Sequence, residues 1–205
     1  MLTLYFSKGS SALASHILLE EVGAKYQTFE VPLAQGAHTR EAYLKVNPKA
    51  RVPALMTPDG VITENPAILT YVAATHPEAG MMPQTPFARA QADALNAYLC
   101  ATMHVAFAHK LRGARWADDA GALQAMQAKV ASNLAECAAL IEQHFLAGPW
   151  AMGAQFTHCD AYLALVPRWL KAAGVPMDPY PKLSAHADAL LSRPAVQRVM
   201  AVHDL

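Results

Sequence analysis

Apolar and polar positions along the first eighty residues change period several times. Leu2-Thr3-Leu4-Tyr5-Phe6 reads as a short strand, and Ser7-Lys8-Gly9-Ser10 as a turn. Leu13, Ile17, Leu18 and Val22 then recur at helical spacing, with Gly23 as the stop. A second strand is expected over 26–31 and a short helix over 39–44, closed by Asn47-Pro48. Residues 52–56 lead into a third strand. Asp59-Gly60 signals a hairpin into a fourth strand over 61–63, and a helix follows from Pro66 to about Thr75. The order is βαβ, a short helix, then ββα. The βαβ unit demands a right-handed crossover and a partly parallel sheet.

Beyond residue 80 the strand pattern disappears. Of 42 alanines, 30 follow Gly80, and alanine is the strongest helix former. Helices are expected over 87–112, 119–145, 159–173, 181–192 and 194–202. In the second, Leu123, Met126, Val130, Leu134, Cys137, Ile141 and Phe145 step by three or four along one stripe. In the third, Gly174 and Pro176 mark the end. The predicted organisation is a mixed α/β domain over 1–80, a Gly/Pro-bearing linker over 81–86 and an all-helical domain over 87–205.

Composition narrows the possible partners. The 205 residues carry 16 Lys+Arg against 16 Asp+Glu, a formal charge of zero. The balance also holds in each part, with six basic and seven acidic residues before residue 81 and ten and nine after it. No broad electrostatic hold on nucleic acid or on an anionic membrane is expected. There is no long apolar run to cross a bilayer, and no basic leader precedes an apolar run at the N-terminus. Cys100, Cys137 and Cys159 are odd in number and match no zinc spacing, so reduced thiols in the cytoplasm and no metal are expected.

Four segments carry candidate chemistry. In Ser7-Lys8-Gly9-Ser10-Ser11, between a strand and a helix, the unpaired N–H groups of the helix start favour an anion or thiolate, and serine hydroxyls there can donate to it. From this segment alone, Ser10 or Ser11 as an ordinary cap is the commoner role. Arg51-Val52-Pro53 precedes an apolar strand and is a candidate cis turn. It would leave the Val52 N–H and C=O open to an extended, peptide-like ligand; an ordinary trans proline is the alternative. Thr63-Glu64-Asn65-Pro66 offers Glu64 to an ammonium, and Asn65 with the helix start to a carboxylate. Asn65 also suits an N-cap. Thr157-His158-Cys159-Asp160 reads as a structural capping box. His104 stands alone on a long helix. No H-E-x-x-H, P-loop, G-x-G-x-x-G or G-x-S-x-G motif is present.

In order and spacing, Gly9–His16, Val46–Leu55, Thr63–Ile68 and Phe156–Leu163 together resemble the glutathione transferase superfamily, nearest its bacterial beta class. The resemblance implies a thioredoxin-like first domain, a helical second domain, a homodimer, and glutathione as co-substrate in the cleft between domains. It implies that Arg51, Val52 and the cis Pro53 receive the cysteinyl backbone, that Glu64 and Asn65 hold the γ-glutamyl end, and that His104 lies near the thiol. The turn departs from the beta class, which has a cysteine where Ser11 stands. A serine cannot form a mixed disulfide, so thiol–disulfide exchange there is disfavoured. The superfamily's first-strand tyrosine position falls on Phe6, with Tyr5 next to it on the opposite face. Ser11, then Ser10, then Tyr5 are the candidate donors to a glutathione thiolate attacking a small hydrophobic electrophile, with His104 assisting. Met103, Phe107, Leu111 and Trp116 are candidate lining for that electrophile. A non-catalytic ligand-binding or interaction protein of this fold, and a glutathione-dependent isomerase, are the alternatives.

Overall fold

The computed structural model describes residues 1–205. The chain divides into two compact units, one formed by Met1–Gln84 with Leu190–Leu205 and the other by Thr85–Ala189.

The first unit is thioredoxin-like. Strands β1 (Leu2–Phe6), β2 (Tyr26–Glu30), β3 (Ala54–Thr57) and β4 (Gly60–Thr63) form one sheet in the order β2-β1-β3-β4. β1 and β2 are parallel, with Leu4 opposite Thr28, whereas β3 is antiparallel to both β1 and β4. The parallel pair requires a crossover, and α1 (Ala12–Glu21) supplies it. After β2 the chain makes short turns and the brief helix α2 (Glu41–Leu44), and after β4 it enters α3 (Asn65–Thr75). Every residue from Ala12 to Leu19 is buried. An amphipathic surface helix would bury only one stripe. This helix is enclosed because α3 and α10 (Pro194–Val202) pack against it as well as the sheet.

The place of α10 differs from the all-helical domain expected over 87–205, because Leu190–Leu205 groups with the first unit. Two things hold it there. Val196 and Val199 are buried, and the Arg193 guanidinium makes two 2.6 Å hydrogen bonds to the Glu21 carboxylate, itself only 6 % exposed. Arg198 adds a further bond, of 2.6 Å, to Glu20.

The second unit is helical. The single helix expected over 87–112 is interrupted. α4 (Pro86–Tyr98) and α5 (His104–Arg112) are joined by a wide π-turn, Leu99–Met103. Leu99 and Met103 are both buried at a spacing of four, so hydrophobic period alone does not reveal the turn. α6 (Ala120–His144) is continuous and buries Val130, Leu134, Cys137 and Ile141, four positions of the expected stripe. The helix expected over 159–173 is two helices, α7 (His158–Leu163) and α8 (Val166–Ala173). Pro167 has no N–H to give and its ring would strike the Leu163 carbonyl, so one uninterrupted helix cannot form. α9 (Pro181–Leu191) completes the chain order before α10. No helix is long and apolar enough to cross a membrane.

The Thr157/Asp160 capping box is present as expected. Fully buried Asp160 accepts from Thr157 N (2.8 Å), Thr157 Oγ1 (2.9 Å), Ala151 N (2.7 Å) and His186 Nε2 (2.9 Å). A buried carboxylate is tolerated only when its lone pairs are satisfied in this way. Asp160 is a structural anchor for the second unit.

Candidate active site

Three loops at the edge of the sheet in the first unit carry the candidate residues. The first is the turn between β1 and α1. The Ser10 hydroxyl donates to Ser7 O (2.7 Å) and accepts from Ala12 N (3.3 Å), so Ser10 performs the local capping. Ser11 stands immediately before α1, is half-buried and caps nothing. Its hydroxyl lies at the positive end of α1. The Tyr5 ring lies 5.3 Å from Phe29 and 5.9 Å from Tyr43, in an aromatic group on one face of the sheet. Phe6 is buried against His16 and His203. Alternation along β1 therefore separates the two rings, as the strand pattern requires.

The second loop carries Arg51-Val52-Pro53, and the Val52–Pro53 bond is cis. The Arg51 carbonyl is held by the Tyr43 hydroxyl (2.7 Å) and by Asn47 Nδ2 (2.6 Å), while the Arg51 side chain is exposed. β3 begins at Ala54, so the Val52 N–H and C=O lie outside its ladders. They remain open to an extended peptide backbone, as an edge strand is. Tyr43 and Asn47 were not singled out by the sequence, in which Asn47-Pro48 looks only like a helix stop.

The third loop is the start of α3. Glu64 occupies a left-handed backbone conformation, φ 75°, uncommon for a residue with a β-carbon. Its carboxylate, 47 % exposed, pairs with the Lys49 ammonium, which also donates to Thr63 Oγ1 (2.7 Å). Asn65 departs from the expected role. Its side chain is buried, with Nδ2 donating to Ser11 O (2.9 Å) and Oδ1 accepting from the Ser15 hydroxyl (2.6 Å). It caps nothing and is turned inward. It binds α3 to the first turn of α1, beneath Ser11. The first-turn N–H groups of α3 still offer a site for a carboxylate.

His104 belongs to the second unit, at the start of α5. Its ring stacks on Trp169 at 4.8 Å, and its Nε2 lies 3.4 Å from an Arg112 nitrogen. Of the residues expected to line an electrophile pocket, Met103 is fully buried core and Phe107 stacks on Trp169 at 5.7 Å. Leu111 and Trp116 are exposed, Trp116 against the edge of His109. Cys137 and Cys159 are buried, which pushes both thiols above the usual range and keeps them inert. No group of His, Cys, Asp or Glu side chains is arranged to hold a metal.

Comparison with known proteins gives this geometry a family. Residues 1–74 match the glutathione S-transferase N-terminal domain family. The crystal structure of a glutathione transferase homologue from Sulfitobacter, with bound glutathione, is 41% identical, with a TM-score of 0.96 over 100% of this chain and 99% of that one. The chain belongs to the glutathione transferase superfamily. Other superfamily members agree over nearly full length. Glutathione S-transferase GstA of Escherichia coli is 29% identical, covering 98% of each chain. Maleylacetoacetate isomerase of Pseudomonas aeruginosa is 27% identical, covering 94% of this chain and 92% of its own. All three loops described above lie in the first unit, within the residues that match the family.

Proposed function

We propose that the protein binds glutathione on the first unit and activates its thiol as a thiolate through Ser11, for attack on a small hydrophobic electrophile. The observation that carries this reading is the Ser11 hydroxyl, uncommitted at the start of α1, in the same unit as the open Val52 backbone and Glu64. The backbone of Val52 pairs with the cysteinyl residue of the tripeptide. Glu64 takes the γ-glutamyl ammonium and the first-turn N–H groups of α3 take its carboxylate. Arg51 contributes through its carbonyl, which orients the cis turn. Asn65 acts indirectly, by holding Ser11. Among the candidate donors Ser11 comes first. Ser10 has spent its hydroxyl locally, and Tyr5 is packed in an aromatic group.

A free thiol ionises near pH 8.5, so at neutral pH only a few per cent is thiolate. Lowering that value by about two units makes thiolate the main form and needs roughly 2.7 kcal/mol of preference for the charged state. One hydroxyl donor and the α1 N-terminus supply contributions of about this size. The thiol proton goes to solvent, and the sulfur forms a bond to the electrophilic carbon as that carbon's leaving group departs with its bonding pair, or, at an activated double bond, as the π pair shifts to the neighbouring atom and takes a proton from water; the product leaves as a thioether.

The match to a maleylacetoacetate isomerase supports a second reading, in which the thiolate adds to an unsaturated substrate and is expelled again. Glutathione would then be a cofactor, not consumed. Counting thiols lost per product formed separates the two. A homodimer, a role in detoxification and a reducing cytoplasmic location, which suits three free cysteines, belong to the same proposal. Titration calorimetry with glutathione, followed by a panel of electrophiles, tests it. Absence of binding at millimolar glutathione would refute it, and binding without turnover across the panel would leave a carrier instead of an enzyme.

A further inference from the structure

The turn that carries Ser11 is held from below by the last residues of the chain. The Gly9 N–H donates to His203 Nδ1 at 3.3 Å. One residue away on each side, the Lys8 ammonium meets the Asp204 carboxylate at 2.8 Å. His203 Nε2 and His16 Nδ1 are 3.1 Å apart, and the two imidazoles are 1% and 2% exposed. These contacts set the tautomers. Because His203 Nδ1 accepts from Gly9, neutral His203 carries its proton on Nε2 and donates it to His16 Nδ1. His16 therefore carries its own proton on Nε2. The Phe6 ring packs against both imidazoles, at 5.6 Å from His16 and 5.0 Å from His203. Burial drives the His16 pKa down to about 4, so at neutral pH its ring stays uncharged and the donor–acceptor order persists.

Gly9 itself has φ +67°, a left-handed conformation that glycine adopts without strain. Without an acceptor below it, this turn loses the one bond from α10's end to its backbone, and keeps the Ser10 capping bonds, the Ser10 N–Ser7 O bond, the Lys8–Asp204 pair and the Asn65–Ser11 bond. We propose that His203 is a positioning residue for thiol activation, its Nδ1 fixing the Gly9–Ser11 turn so that the Ser11 hydroxyl meets the glutathione sulfur. The C-terminal helix α10 thereby becomes part of the active-site scaffold, with His16 as the group that orders the His203 ring. This inference rests on the reading of Ser11 as the thiol donor.

The test compares Ser11→Ala, His203→Gln and His203→Asn by the ultraviolet absorbance of bound glutathione thiolate as pH is varied. Asparagine can place an amide oxygen where His203 Nδ1 stands. Glutamine instead occupies the Nε2 position and loses the acceptor for Gly9. Ser11→Ala and His203→Gln should each raise the bound thiol pKa by about one unit or more, leaving at least about threefold less thiolate at neutral pH. His203→Asn should stay near wild type. Affinity for S-methylglutathione, which has no thiol to activate, should be nearly unchanged in all three. A pKa that rises in Ser11→Ala but not in His203→Gln overturns the role of His203 alone, as does an equal rise in both His203 variants. A pKa unmoved by Ser11→Ala overturns the Ser11 reading and this inference with it. Amide hydrogen exchange at Gly9 gives a check that needs no variant. The amide should be protected in the wild-type protein, and free exchange there contradicts the proposed bond.

Discussion

Asp160→Asn is the substitution for which the structure gives the clearest expected cost. The side chain keeps its volume and sits in a site with no exposure, so the change is almost purely electrostatic. Wild-type Asp160 accepts four hydrogen bonds, two on each oxygen. Asparagine keeps one accepting oxygen and turns an NH2 group toward two donors. Two bonds to a charged acceptor are lost, at roughly 1.5–3 kcal/mol each, giving about 3–6 kcal/mol. A domain's whole stability is about 5–15 kcal/mol, so the variant should be crippled without any change at the three candidate loops of the first unit. Urea denaturation followed by circular dichroism, at fixed protein concentration, reads the effect. With a slope of about 2–3 kcal/mol per molar, the midpoint should fall by about 1–3 M with the slope unchanged. Thr157→Val removes one hydroxyl donor to that carboxylate and should cost about 1.5–3 kcal/mol, half as much. A midpoint shift in Asp160→Asn no larger than that of Thr157→Val would refute the reasoning that the carboxylate anchors this region.

The buried His16 makes stability depend on pH. The unfolded chain takes up its proton near pH 6.5 and the folded one only near 4, so the unfolded state binds more protons in that window. Stability should fall by up to about 3 kcal/mol as pH drops from 6.5 to 4, and the denaturation midpoint of His16→Asn should vary less steeply over the same range. Glu64→Gln should weaken glutathione binding roughly tenfold while leaving kcat nearly unchanged, because it removes a charge that meets substrate and transition state alike; steady-state kinetics check this. Ser11→Cys should form a mixed disulfide with oxidised glutathione, releasing one reduced glutathione, detectable by mass spectrometry and reversed by a thiol reductant. The wild-type protein should form none at this position.

Much of the first unit was legible because its signals are local. The period-two run of β1, the Asp59-Gly60 hairpin and the stop at Gly23 each depend on a few adjacent residues, and each lies where expected. The capping box of Thr157 and Asp160 is local too. What escaped detection depends on residues distant in sequence. Asn65 carries every mark of an N-cap, yet its amide turns inward to Ser11 and Ser15, about fifty positions away. His203 near the C-terminus looks like an ordinary tail residue until the fold brings it under Gly9. The break at Leu99–Met103 was hidden because a spacing of four suits an α-turn and a π-turn alike. The break before α8 was readable in principle from Pro167, whose missing N–H outweighs the helical propensity around it. At the candidate site, residue types pointed to a hydroxyl donor in the turn, but only the hydrogen bonds separate Ser10, already committed, from Ser11.

The central claim is that Ser11 lowers the pKa of the glutathione thiol. Titrating the thiolate absorbance of bound glutathione in the wild-type protein and in Ser11→Ala tests it most directly. The account predicts a wild-type value about two units below that of the free thiol, and a variant that still binds glutathione with a value most of the way back. Equal pKa values in the two proteins would contradict it.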